Sequence, residues 1–510
     1  MKILLSIAAA AAFFLASCKK IDERAEQLPE NPAVMSNEVI DNFILAKLQE
    51  TGKFEWASVP ADMLWSALQQ KDKLMSIGYK PAAHTWDDAA IAGVNIGAPD
   101  WIAAREALIQ LVLASEQKVD KAITREKLQL LQDDQLPFIN LLVQNPETIK
   151  LLRASSLVRY AEPMGYEPQP AIRPDSDSGC GSNTAEASLT EGEDYLNITP
   201  GTKQSWNYTY HNIPGAWSRS TGAGIKIFVI DTGCEFDQEN LGSNFNQGLS
   251  SGRSIEKIVT LPRATFFGIP TGSAETPDDG CGHGTSMAGA AAAPRGIDGA
   301  ACGVAYNSNL VTCRAGQDVL IDASREVTGV TNAYKNAANR ADVRIISMSM
   351  GRTTGSSQIT DAINLASANG KLMFCAAGTS FGWSAGWYGV IFPAWLSNVN
   401  AVTGVRDNNY NQNCSACHKG AETDFTIVME KAINERHPLT LAMGGDAPST
   451  VGGSSVATAT AAGIAALVWS RFPTYTRTQI LNKLVMTSSN YPTKNSSYGW
   501  GNLNAGAATE

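Results

Sequence analysis

Ile225-Lys226-Ile227-Phe228-Val229-Ile230-Asp231-Thr232-Gly233 is the stretch on which the fold turns. Its apolar run is almost unbroken and ends abruptly in a carboxylate and a glycine. A strand wet on one face alternates polar and apolar side chains, so a continuous run argues for a strand covered on both faces. The same texture returns at Leu310–Cys313, Val343–Met350, Lys371–Ala376 and Asn400–Val405, with helix-period stretches such as Arg325–Ala341 and Gln358–Asn369 between. Strands alternating with helices predict an α/β fold, a mostly parallel sheet with helices on both faces. In such sheets chemistry gathers beyond the carboxyl ends of the strands, which is where Asp231 falls.

This texture fills residues 203–510. Upstream, residues 34–165 suit a small α+β domain, with a helical period in Ile102–Glu116 and a strand-like run at Phe138–Val143. A helix at Pro146–Arg153 and a second strand-like stretch at Leu157–Ala161 follow. Residues 166–202, rich in Pro, Asp, Ser and Gly, read as an exposed linker. At the other end, Lys2, the apolar run Ile3–Leu15 and the small residues before Cys18 make residues 1–17 a secretory signal, too short to span a bilayer. Its Leu15-Ala16-Ser17-Cys18 ending resembles the bacterial lipoprotein signal, which implies that Cys18 is lipidated and that residues 18–33 are a tether. An ordinary cleaved signal is the other reading. Export puts the chain in the outer membrane, the periplasm or on the cell surface, anchored to the membrane through lipid.

Composition removes several classes of function. The chain has 510 residues, 44% of them hydrophobic, which is too apolar for disorder. With 40 basic against 49 acidic residues and a net charge of −9, it lacks the cationic footprint of a nucleic-acid binder. No stretch of the body offers the ~20 consecutive apolar residues of a transmembrane helix. Nine cysteines less Cys18 leave an even number, and an oxidising compartment permits disulfides among them.

Three motifs stand at predicted element ends: Asp231-Thr232-Gly233, Gly282-His283-Gly284-Thr285 before a small-residue helical run, and Gly453-Ser454-Ser455-Val456-Ala457 at the start of another. A serine hydroxyl is a poor nucleophile at neutral pH and needs a base within hydrogen-bond reach. That base needs a buried carboxylate to hold its tautomer. Glycines beside His283 and Ser455 let substrate backbone approach, and a helix start behind Ser455 offers N–H groups to an oxyanion.

In order and context these motifs resemble the subtilisin-like serine proteases, the subtilases. Further family features are Gly303-Val304-Ala305, Ile346–Gly351, Ala376-Ala377-Gly378, Gly453–Gly463 and Tyr498–Asn504. The resemblance implies Asp231, His283 and Ser455 as a catalytic triad acting on proteins or peptides through an acyl-enzyme. It also implies that Ser349, Met350 and Gly351, with Ala376, Ala377 and Gly378, wall the substrate cleft. The family usually has Asn where this chain has Thr379, so the oxyanion is expected on the Ser455 N–H and a shorter hydroxyl donor. Ser286 and Thr460 stand where His is frequent. The strand–helix–strand at 138–162 resembles the last part of subtilase propeptides, which implies an intramolecular inhibitor. A feebly active binding protein of the same fold, or a peptide ligase, are the alternatives.

If Asp231 and His283 meet, Cys234 and Cys281 are brought close, and Cys302 and Cys313 flank a segment able to fold back; pairs 234–281 and 302–313 are expected. Cys414-Ser415-Ala416-Cys417-His418 has the form used for covalent haem attachment, yet its loop-rich setting favours a local disulfide or a metal loop. The chemistry requires no cofactor. The resemblance leaves room for a structural calcium ion, with no ligands assignable from sequence. His84, His211 and His437 have no partner pattern.

Overall fold

The structure is a computed structural model and describes residues 32–128, 130–168, 180–181, 183–266, 269–379 and 389–510. The signal, Cys18 and much of the tether lie outside the described residues, as does much of 166–182.

The N-terminal unit is α+β. Helices α1 (Asn37–Thr51), α2 (Ala61–Gln69), α3 (Pro99–Glu116) and α4 (Pro146–Ala154) pack with strands β1 (Leu74–Tyr79), β2 (Leu131–Gln132), β3 (Phe138–Leu142) and β4 (Val158–Pro163). The strands form an antiparallel sheet in the order β2-β3-β1-β4. α4 starts where local chemistry dictates: the Asn145 side chain accepts from Glu147 N–H, and Pro146 stands in the first turn, where its missing donor costs nothing. Ile40, Leu64, Ile77, Leu108, Ile139, Leu141 and Ile149 close a core of this unit's own.

Downstream, β5 (Tyr195–Ile198) and β6 (Thr202–Ser205) form a hairpin and α5 (Ile213–Trp217) leads into the main sheet. Its seven strands are β7 (Lys226–Asp231), β8 (Ile255–Val259), β11 (Asn309–Arg314), β12 (Val343–Met348), β13 (Leu372–Ala376), β14 (Asn400–Arg406) and β15 (Thr423–Glu430). All neighbours run parallel, in the order β15-β14-β13-β12-β7-β11-β8. Two short antiparallel pairs, β9 (Thr265–Phe266) with β10 (Ile269–Pro270) and β16 (Leu439–Leu441) with β17 (Pro448–Thr450), lie outside it. Helices α6 (His283–Ala292) and α9 (Gly453–Arg471) cover one face, α7 (Ser324–Asn339) and α8 (Ser357–Ala368) the other, and α10 (Arg477–Met486) and α11 (Ala505–Ala508) follow.

The period of two in β7 shows why its run is unbroken. Ile227 and Val229 enter the layer shared with α6 and α9, while Phe228 and Ile230 enter the layer shared with α7 and α8. The α/β expectation is met on both faces. The strands that sequence reading passed over are the two edges. β8 carries Glu256 and Lys257 and is half-buried throughout, as an edge strand is, so no apolar run announces it. α9 is long and apolar enough to cross a bilayer by composition, but 89% of that window is buried, which marks it as a core helix.

The N-terminal unit docks on the α7/α8 face. Ile91, Leu136, Phe138 and Met164 join the apolar layer there. Polar contacts ring it: Ser76 Oγ donates to Gln358 Oε1 at 2.8 Å, Arg159 pairs with buried Asp361, and Glu162 accepts from Ser357 N–H and Oγ–H at the start of α8. The expected linker is not uniformly exposed. Glu167 is 5% exposed, Glu186 N–H donates to Pro448 O at 2.9 Å, and the β5–β6 hairpin straddles the boundary expected at 202.

Candidate active site

β7 delivers Asp231, fully buried, to the carboxyl edge of the sheet. The turn after it needs glycine: Gly233 sits at φ 122°, and a Cβ there would meet the carbonyl oxygens of Pro277 and Asp278 at 2.6 and 2.8 Å. Gly284 packs directly on the Gly233 backbone, so the first turn of α6 lies against the end of β7. That approach brings His283 Nδ1 to 2.6 Å from Asp231 Oδ1, which also accepts from Thr232 N–H at 2.8 Å. Burial pulls the imidazole pKa down, but the charge and hydrogen bond of Asp231, helped by Asp279, outweigh it and hold it above 6.5.

Asp279 is the residue the sequence reading missed. It is fully buried. Its Oδ1 accepts from Thr232 Oγ1 and Gly282 N–H, each at 2.8 Å, and its Oδ2 accepts from Thr285 N–H and Oγ–H at 2.8 and 2.7 Å. One carboxylate thus ties the Asp231 turn to the N-terminal turn of α6, where negative charge is favoured. An acidic residue just ahead of a helix start was the available signal.

Ser455 occupies the first turn of α9, which opens on Gly453 at φ 82°. Ser349 Oγ donates to Ser455 O at 3.1 Å, so the end of β12 lies beside the serine. The end of β13 does too: Gly378 N–H donates to Ser454 Oγ at 3.2 Å, and Ser454 N–H donates to Thr379 Oγ1 at 3.3 Å. Thr379 is therefore adjacent to the nucleophile's turn, but its hydroxyl is engaged with Ser454. Met350 is buried, Gly351 exchanges backbone hydrogen bonds with Val319 and Ile321 at 3.0 Å, and Ala377 N–H donates to Val402 O at 2.9 Å, so both expected walls are braced from behind. Because α6 and α9 pack through Ala288, Ala291, Ala459 and Ala462 in one layer, His283 and Ser455 start neighbouring helices at the same end of the sheet.

The expected disulfides are corrected. Cys281 is bonded to Cys180, and Cys234, Cys302 and Cys313 are buried thiols whose pKa values burial pushes up to about 12. Cys302 lies in the α6/α9 layer and Cys313 in the α7/α8 layer, so the sheet itself separates them. Cys234 turns into the α6/α9 layer, leaving Cys281 in its loop to meet the incoming N-terminal segment. Cys414 and Cys417 are bonded to each other, which consumes the two thiols haem attachment needs. His418 N–H donates to Gly378 O at 2.9 Å, and burial lowers its imidazole pKa to about 4, so the loop buttresses the β13 wall. His211 is a packed histidine: Nδ1–H donates to Leu503 O at 2.8 Å and Nε2 accepts from Val428 N–H at 2.9 Å. The ring of His437 lies against Gly452, and His84 stacks edge-on to Trp101 at 5.1 Å. Among the described residues no group of three or more His, Cys, Asp or Glu side chains is arranged to hold a metal.

The chain resembles known proteins over its C-terminal part. The model of the subtilase family matches residues 222–501. Alkaline elastase YaB of a Bacillus species is 31% identical over 62% of this chain and 73% of its own length. Subtilisin Savinase of Lederbergia lenta is 29% identical over 60% of this chain and 98% of its own. Among solved structures, MycP1 from Mycobacterium smegmatis aligns with a TM-score of 0.47 at 20% identity, over 67% of this chain and 95% of that one. The chain belongs to the subtilase family, the subtilisin-like serine proteases.

Proposed function

We propose that this chain is an exported, lipid-anchored endopeptidase, made as a precursor whose N-terminal unit occupies the enzyme until the segment after it is cut. The observation that carries the catalytic part is the buried Asp231–His283 hydrogen bond beside the first turn of α9. Ser455 Oγ attacks the scissile carbonyl while His283 Nε2 takes its proton. His283 returns that proton to the leaving amine, and a water activated by the same imidazole hydrolyses the acyl-enzyme. Asp231 holds the imidazole with Nδ1–H toward the carboxylate and stabilises the imidazolium. The Ser455 N–H faces the developing oxyanion at a helix start.

The anchor reading adds a consequence. Lipid on Cys18 lies upstream of the cut, so cleavage between about 165 and 203 releases the catalytic unit from the membrane, unless the N-terminal unit stays bound or the cut falls after Cys180, whose disulfide to Cys281 would hold the pieces together. Labelling with a fluorophosphonate tests the catalytic reading: wild-type chain reacts and Ser455→Ala does not. Equal labelling of both refutes it. Fractionation and N-terminal sequencing test the second part, and an active enzyme found only at full length in membranes refutes coupled release. A second reading, a weakly active or inactive binding protein, is favoured by the engagement of Thr379 with Ser454; it predicts slow labelling of the wild type or none.

A further inference from the structure

Directly after the Ser349-Met350-Gly351 wall comes Arg352-Thr353-Thr354, and these three residues hold a carboxylate. Arg352 is 1% exposed and Glu167, from the N-terminal segment, 5%. Arg352 Nε–H donates to Glu167 Oε1 at 2.9 Å, and Thr353 N–H donates to Oε2 at 2.7 Å. Thr354 N–H donates to Oε1 at 3.1 Å, and both threonine hydroxyls donate to the same carboxylate. The guanidinium also reads the chain that bears the acid: Nη1–H donates to Met164 O and Nη2–H to Tyr166 O, each at 2.9 Å. Every donor comes from the catalytic unit. The seat is rigid, because the Arg352 and Phe392 backbones exchange two hydrogen bonds of 3.0 Å.

With the segment Met164–Glu167 withdrawn, the hydrogen bonds left to the Arg352 side chain are those with Thr354 Oγ1, at 3.1 and 2.8 Å. The vacated guanidinium keeps its fork of donors beside two threonine hydroxyls and two backbone N–H groups, a set that suits a replacement carboxylate. Its position sets where that acid lies on a substrate. Ser349 touches Ser455, and Arg352 is three residues further along the wall; at ~3.3 Å per extended residue that is about 10 Å. Polarity follows from two anchors. Glu167 sits on Arg352, and Cys180, later in the chain, is bonded to Cys281 two residues from His283. Glu167 precedes Cys180 in the chain, so a peptide bound in the same sense as these two anchors carries its acid on the amino-terminal side of the bond.

We propose that Arg352, Thr353 and Thr354 form an acid-binding subsite that selects extended peptides carrying Glu about three residues upstream of the bond cut, with Glu167 as its internal occupant. This rests on the protease reading above. The test compares peptides identical except for Glu, Gln or Lys at that position, using chain that has processed itself. A charge-assisted hydrogen-bond set is worth roughly 10–100-fold in kcat/KM, so Glu is expected to exceed Gln by that factor. Arg352→Gln should abolish the preference and Arg352→Glu should turn it toward Lys, each read as the ratio between peptides cut by the same variant. Equal cleavage of Glu and Gln peptides by wild type overturns the subsite, whether or not the variants fold. If no peptide is cut, the protease reading fails, and the subsite is read by itself. Labelled Met-Gly-Tyr-Glu-Pro should then bind chain carrying Ser455→Ala and Glu167→Gln at least tenfold more tightly than Met-Gly-Tyr-Gln-Pro. Equal anisotropy titrations would overturn it.

Discussion

Two buried pairs of opposite charge character, Asp231 with His283 and Glu167 with Arg352, are built in opposite ways. The first lies within one unit, joined by backbones that approach through Gly233 and Gly284 and braced by Asp279. The second joins two units through long side chains and a ring of charge-assisted hydrogen bonds, with Arg159–Asp361 and Glu162–Ser357 alongside. Short-range steric fit hardly changes with pH or charge. Ion pairs and buried carboxylates do, because each carries a desolvation cost that its partner must offset. The catalytic pair is therefore designed to persist and the docking face to let go.

The largest expected effect breaks the first pair's chemistry and leaves the second intact. Ser455→Ala or His283→Ala should lower peptide hydrolysis by ~10⁴-fold or more with the N-terminal unit still docked, since triad members act as a set. Undiminished turnover in the Ser455→Ala chain, read with a quenched peptide, removes the catalytic assignment.

Next in size is a change that does the reverse. Arg159→Ala leaves the carboxylate of Asp361, 4% exposed, without its cation, and breaking such a pair costs ~3–5 kcal/mol. Limited proteolysis should show the N-terminal unit loosened while fluorophosphonate labelling of Ser455 is unchanged or increased.

Glu162 makes the docking face sensitive to pH. Burial raises its pKa from 4.5 to about 7, against the opposing hydrogen bonds from Ser357 and the charge of Arg352. A raised carboxylate favours the docked state in its neutral form. Its stabilisation is complete below pH 4.5, is lost as pH climbs through about 7, and amounts to about 3 kcal/mol. Docking measured by proteolysis should weaken from pH 5 to pH 8, and Glu162→Gln should flatten that slope. A slope unchanged in the variant assigns the dependence elsewhere.

The smallest effect sharpens the catalytic side. Asp279→Asn keeps the size of the side chain but removes charge near His283. The imidazole pKa, held above 6.5, should fall, moving the acid limb of kcat/KM to lower pH, with a loss of about tenfold in the plateau from disturbed positioning. A plateau loss without a shifted limb would make Asp279 a purely structural cap.

Sequence reading reached β7, α7, α8 and the starts of α6 and α9 because each is announced locally, by an apolar run, a helical period or a glycine beside a reactive side chain. It passed over β8 because an edge strand carrying Glu256 and Lys257 lacks that run. It mispaired Cys281 because spacing along the chain says nothing about which side of a sheet a thiol faces. Asp279 carried a weak signal, hidden beside Asp278 in a loop where either carboxylate is equally plausible on composition.

What the amino-acid order determined by itself is the α/β layering and the residue types at the carboxyl edge of the sheet, since hydrophobic period and backbone freedom act over a few neighbouring residues. What the tertiary structure decided are the partners: Cys180 with Cys281 across 101 residues, Asp279 with both the Asp231 turn and α6, and Glu167 with Arg352 across 185. Such pairs exist only after the sheet and its two helical layers have closed. Their geometry depends on which face each segment meets, and no local pattern encodes that choice.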